Sequence, residues 1–146
     1  MNLITKFAEA IKTHEGWFAG SRSQRNHNPG NLKFANQEKA IGKDNDNFAI
    51  FAKDEDGYEA LMHQIIIAID GRSKVYNPEM TILQFFERYA PSADNNNPHA
   101  YAKFVADYIG ASINCQIKYL KDEIENEKKQ LLELSLDGKI IFKQEI

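Results

Sequence analysis

The sequence predicts a mainly α fold: a helical core with a small irregular or β-containing lobe after the first helix. Three observations lead there. Apolar residues recur at helical spacing in several separate stretches. Residues 16–47 break that rhythm with Gly, Ser, Asn and Asp and few long apolar runs. Phe48-Ala49-Ile50-Phe51 follows as a short strand candidate. With 146 residues, 42% hydrophobic and 27% charged, the chain is long and apolar enough to bury a core as a single domain with a short appendage.

Leu3, Ile4, Phe7, Ala8 and Ile11 define a first amphipathic helix over residues 2–15, ending near Gly16. The long irregular segment after it is of a kind usually kept for function. Asp54–Gly57 reads as a turn, and Tyr58, Leu61, Met62, Ile65, Ile66 and Ile69 as a second helix stopped at Gly71. Ile82, Leu83, Phe85, Phe86 and Tyr89 form a third, stopped by Pro91. Pro98 stands at a first helical position, and Tyr101, Phe104, Val105, Tyr108 and Ile109 make a fourth helix closed by Gly110. Phe85, Phe86, Phe104 and Tyr108 read as core. Ile113, Ile117, Leu120, Ile124, Leu131 and Leu134 support a fifth, heavily charged helix, and residues 136–142 a turn and an apolar end. Composition shifts toward Lys, Glu and Leu near residues 110–115. The expected organisation is a domain over 1–110 and a helical extension over 111–146, packed on the domain or on a partner.

A net charge of -3 gives no basic footprint for nucleic acid and no attraction to an anionic membrane, although Arg22, Arg25 and Lys33 could form a local basic face. The single cysteine, Cys115, excludes an intramolecular disulfide and reads as a small apolar residue. The N-terminus lacks the apolar run of a signal peptide, and no stretch approaches the ~20 apolar residues that span a bilayer. The expectation is synthesis in a cytoplasm, so that any action outside the cell requires delivery by another factor.

Two segments carry chemistry. In His14-Glu15-Gly16-Trp17 a glutamate falls at the end of an amphipathic helix beside the one tryptophan. A carboxyl against apolar surface holds its proton to higher pH, as a general acid for glycosidic cleavage requires. Read locally, the same residue is a solvated helix-end glutamate. In Arg25-Asn26-His27-Asn28-Pro29-Gly30-Asn31-Leu32 the amides suit sugar hydroxyls and N-acetyl groups, and also an ordinary Asn-rich turn.

The order of the motifs is more specific than any one of them. Glu15-Gly16-Trp17, Asn28-Pro29-Gly30-Asn31-Leu32, Phe48-x-x-Phe51, Gly57-Tyr58-x-Ala60-Leu61 and Tyr89-Ala90-Pro91-Ser92, then an Asn-rich loop and Tyr101, follow one another. This series resembles the phage-encoded and bacterial murein hydrolases of the lysozyme superfamily over residues 4–110. It is similar to lytic transglycosylases, goose-type lysozymes and flagellar-type glucosaminidases, and lacks the Gly-Leu-Met-Gln run of many soluble transglycosylases. The resemblance implies an α+β lysozyme-like fold and cleavage of peptidoglycan glycan strands, as a muramidase, lytic transglycosylase or endolysin. It implies Glu15 as general acid and Tyr89 as the tyrosine facing it. It implies Trp17, Asn28, Asn31 and Tyr101 as substrate-binding residues, with Ser21 and Ser23 where transglycosylases often carry a serine near the acid.

Hydrolysis needs a second carboxylate across the scissile bond, for which Asp44, Asp46, Asp54 and Asp56 are candidates. Without one, Glu15 could protonate the leaving oxygen and then deprotonate the sugar's own C6 hydroxyl, closing a 1,6-anhydro ring. No cofactor or metal is expected. His14-Glu15 begins an H-E-x-x-H zinc motif, but position 18 is Phe. The acidic runs at 44–46 and 54–57 do not meet the calcium-loop pattern. The alternative from another class is a non-catalytic phage structural or wall-binding protein, its C-terminal segment docking a virion component.

Overall fold

The structure is a computed structural model that describes residues 2–121. It is mainly helical, with one two-stranded antiparallel hairpin after the first helices. Helix α1 spans Leu3–His14, begins where the Asn2 side chain accepts from Thr5 N at 2.8 Å, and buries Phe7, Ala8, Ala10 and Ile11. Glu15 is its C-cap, so the candidate acid sits where the helix stops. A single turn, α2 (Arg22–Arg25), follows, capped by Ser21.

The irregular lobe contains more order than its composition shows. Strand β1 (Ala40–Lys43) pairs with β2 (Ala49–Phe51) in the register Ala40↔Phe51, Gly42↔Ile50 and Lys43↔Ala49. Phe48 lies just outside β2, bridged to Lys33. Asn28 joins the lobe to the core. Fully buried, it donates to Leu32 O at 3.0 Å and Ala49 O at 2.9 Å, and accepts from Leu32 N at 3.0 Å.

Helix α3 spans Asp54–Ile69, so the expected turn at Asp54–Gly57 is instead its first turn. Asp54, Glu55 and Asp56 favour that position by facing the positive end of the helix dipole. Gly57 is needed there for space, since a Cβ would fall 1.9 Å from His27 O. Helix α4 (Ile82–Tyr89) opens with a capping box between Thr81 and Gln84, and α5 spans Pro98–Ile109. A 3-10 turn, Ser92–Asp94, lies between them. Helix α5 packs on α1 and α4, while α3 packs on α1 and β2.

Phe85 and Phe86 are core, meeting Phe7 edge-on and stacked respectively. Phe104 and Tyr108 are not: they are 37% and 46% exposed, because Tyr101, Ala102, Val105, Ala106 and Ile109 take the inward face of α5. The expected fifth helix does not include Ile113, since residues 111–117 form turns and helical structure resumes only at 118. This segment is tied to α4 by Leu83 N to Ile113 O, Ile82 N to Cys115 O and Ile117 N to Met80 O, at 2.8–3.0 Å. Ile117 and Leu120 enter the same core as the helices, with Cys115 partly buried beside it. The expected helix beyond 121 and the apolar end at 136–142 lie outside the described residues.

Candidate active site

Glu15 leaves the end of α1 and turns inward. Asn31 Nδ2 donates to Oε1 at 3.0 Å, and Tyr101 Oη donates to Oε2 at 2.6 Å. Three distant parts of the chain therefore meet at one carboxyl: the helix end, the turn after Pro29-Gly30, and α5. Burial raises the Glu15 pKa, and the hydrogen bonds from Tyr101 and Asn31 oppose it without cancelling it. Both ingredients of a tuned acid are present, a poorly solvated carboxyl and donors that hold its orientation. Burial, with nearby Tyr89 and Glu15, also raises Tyr101 well above the ordinary phenol value, so its hydroxyl keeps its proton and stays a donor.

The turn carrying Asn31 is constrained from below. Asn31 is left-handed at φ 45°, a conformation asparagine tolerates better than most residues. Before it, Gly30 has no room for a side chain: a Cβ would lie 2.7 Å from Tyr89 Oη and 2.9 Å from Leu61 Cδ1. Tyr89 Oη donates to Gly30 O at 2.6 Å. This corrects the expectation for Tyr89. The hydroxyl that meets Glu15 is that of Tyr101, and Tyr89 holds the backbone under Asn31. Tyr89 lies at the end of α4, partly buried, its ring 6.0 Å from that of Tyr101 and steeply tilted to it.

Other residues expected at the site have different employment. The amide of Asn28 is fully used inside the protein, so it is a structural joint and not a sugar ligand. Ser23 is buried and donates to Gly16 O at 3.2 Å, while Ser21 caps α2; both stabilise the turn after Glu15. Trp17 is partly buried, with Lys12 Nζ 5.0 Å from the centre of its ring. Its Nε1 lies 3.2 Å from the end of the Gln24 side-chain amide, whose oxygen accepts from it once the amide is turned end for end. The ring whose hydroxyl meets Glu15 belongs to Tyr101, with His14 stacked on it.

The four candidate second carboxylates are all engaged in the lobe or at the start of α3. Asp44 accepts from Asn26 Nδ2 and from the backbone of Asp46 and Phe48 at 2.9–3.0 Å. Burial alone would raise its pKa, but these bonds and nearby Arg22 outweigh it and hold Asp44 low. Asp46 pairs with Arg22 at 2.7 Å, Asp54 with His27 at 2.7 Å, and Asp56 lies 3.7 Å from Lys39. Among the described residues no cluster of His, Cys, Asp and Glu could hold a metal ion, and no helix is long and apolar enough to cross a membrane.

A cavity of about 420 Å³ begins at Trp17 and runs past Lys12, Pro29 and Tyr58. Two others, of about 490 and 530 Å³, lie by α4 and between residues 35–39 and α3. None of these three is lined by Glu15.

Comparison with known protein families, characterised proteins and solved structures finds no match. Sequence reasoning missed the part played by Gly30, whose only signal was a Pro-Gly pair next to Asn31. It also met His14 only as a failed zinc motif, whereas the imidazole lies flat on the ring of Tyr101, 3.9 Å away.

Proposed function

We propose that the chain is a lysozyme-like enzyme that cleaves the glycan strands of peptidoglycan, with Glu15 as its general acid and base. The observation that carries this reading is the carboxyl itself: half-buried at a helix end, raised in pKa, and gripped by Asn31 and Tyr101. A glycosidic oxygen leaves as an alcohol only when protonated, and a carboxyl that keeps its proton toward neutral pH supplies it. Asn31 and Tyr101 then stabilise the carboxylate left behind, since both are donors.

The lytic route is preferred. Asp44, Asp46, Asp54 and Asp56 all have other partners, so the reading does not draw on a second carboxylate. Once Glu15 has given its proton to the bridging oxygen, its carboxylate takes one from the C6 hydroxyl of the sugar. That oxygen attacks C1 from within the same ring, closing a 1,6-anhydro product. The nucleophile is held by its own covalent frame, which removes the need to position water. The substrate bond is the β-1,4 link from N-acetylmuramic acid to N-acetylglucosamine.

A second reading, a non-catalytic wall-binding or virion protein with a lysozyme-like fold, draws on the closure of the site. Both oxygens of Glu15 are engaged within the protein, and the three cavities are lined by other residues. The test is incubation of purified sacculi with the wild type and Glu15→Gln, reading soluble products by mass spectrometry. Anhydro-muropeptides from the wild type alone support the lytic route. Reducing-end products lost in the variant keep Glu15 but require a water-activating partner. Sacculus binding with no sugar released by either protein, both folded, favours the second reading.

A further inference from the structure

His14 and Glu15 are neighbours in sequence, and both side chains end on Tyr101. The imidazole lies on the phenol ring with centroids 3.9 Å and planes 10° apart. Phe86 stacks on the same ring at 4.4 Å and 19°. Two nearly parallel rings this close cannot share one face, so Tyr101 is sandwiched between them. Its hydroxyl leaves the sandwich to donate to Glu15 Oε2 at 2.6 Å.

We propose that His14 is a positioning residue that sets how firmly Glu15 holds its proton, acting through the ring of Tyr101. An imidazolium on the face of the phenol draws electron density from the ring and makes its hydroxyl a stronger donor. A stronger donor favours the carboxylate, so charged His14 loosens the proton on Glu15 and neutral His14 leaves it in place. By reciprocity, ionised Glu15 favours charged His14.

The surroundings leave this coupling exposed to view. From α5 the groups against the imidazole are the rings of Tyr101 and Phe104, and on its own helix the neighbour is Glu15. The charges on that part of α5, Lys103 and Asp107, are paired with each other at 2.7 Å. Tyr89 and Tyr76, on the core side of Tyr101's neighbours, keep their protons because loss of water raises both. Burial lowers His14 from its ordinary 6.5 and raises Glu15 from 4.5, which draws the two titrations toward one another.

The inference rests on Glu15 being the working acid, but its test does not depend on turnover. The carboxyl carbon of Glu15 is followed by NMR from acid to neutral pH in the full chain, as wild type, His14→Phe and His14→Arg. His14 is exposed, so both variants keep the fold, and His14→Gln gives a neutral comparison without a ring. The expected midpoint in His14→Arg lies at least ~0.5 pH unit below that in His14→Phe, with the wild type between. Adding Tyr101→Phe to each should close most of that gap. Equal midpoints in the Phe and Arg variants overturn the proposal, as does a gap that Tyr101→Phe leaves intact. A midpoint gap in a protein that releases no sugar from sacculi would remove the enzyme reading and leave the coupling standing. Sugar release with no gap would do the reverse.

Discussion

Glu15 and Asp44 are both carboxylates held by two or more donors, yet their surroundings push them in opposite directions. At Glu15 the loss of water outweighs the bonds from Asn31 and Tyr101, and the proton is held more firmly. At Asp44 the bonds from Asn26 and two backbone amides, with Arg22 alongside, outweigh the loss of water, and the proton is given up more readily. The difference lies in what surrounds the donors. At Glu15 one is the hydroxyl of a ring stacked in the core and the other an amide from the adjacent turn. At Asp44 they are the amide of Asn26, at the end of α2, and two backbone N–H groups of the hairpin turn, with the Arg22 cation alongside. Hydrogen bonds orient a carboxylate in both places, but only the less hydrated one holds its proton more firmly than a free carboxyl.

The largest expected effect breaks the comparison at its chemical end. Glu15→Gln should lower sugar release from sacculi by at least ~100-fold, as loss of a general acid does. Asp44→Asn should leave release near the wild-type level once its folded fraction is accounted for. Equal losses in the two variants, with both folded, would make Asp44 a partner in catalysis and end the contrast.

Next in size is the joint between the two regions. Asn28→Ala removes three buried hydrogen bonds that tie the lobe to the turn before Asn31. Roughly 3 kcal/mol of folding stability should go with them, read as a lower urea midpoint.

The two carboxylates should also tilt stability against pH in opposite senses. Glu15 has a raised folded pKa, so its contribution is fully present below 4.5 and is lost as pH rises through the folded value. Glu15→Gln should therefore melt above the wild type at pH 7, and the gap should close in acid. Asp44 has a lowered folded pKa, so its contribution is present above 3.8 and is lost as pH falls through the folded value. Asp44→Asn should melt below the wild type at pH 7, with that gap also closing in acid. Melting midpoints of the three proteins between pH 3 and 7 check both signs.

Tyr89→Phe withdraws the donor from Gly30 O and should cost about 1 kcal/mol in the same urea titration. Smallest of all, Asp46→Asn removes an exposed pair with Arg22 and should shift stability by less than ~0.5 kcal/mol.

Much of the architecture was legible before any coordinate. Leu3, Ile4, Phe7, Ala8 and Ile11 share one helical face, so α1 and its end at Glu15 follow from spacing alone. Pro91 and Gly110 mark the ends of α4 and α5 for local reasons of backbone geometry. The start of α3 was misplaced because Gly57 looks like a turn residue, and only the approach of the His27 carbonyl explains why a glycine stands inside the helix. The exposure of Phe104 and Tyr108 was missed because both are as apolar as the residues that face inward.

What the sequence determined by itself is local: where helices begin and end, that a polar lobe interrupts them, and that Glu15 stands at a helix terminus. These depend on neighbours within a few residues. Which tyrosine reaches that carboxyl was decided by tertiary structure alone. Tyr89 and Tyr101 both lie among aromatic helix residues, and nothing in their immediate sequence separates them. The packing of α5 on α1 brings Tyr101 to Glu15, while the end of α4 lies over Gly30 and gives Tyr89 its carbonyl. A hydroxyl bonds whatever acceptor the fold places within about 3 Å, and contacts across 59 and 86 residues are set by packing, not by chain order.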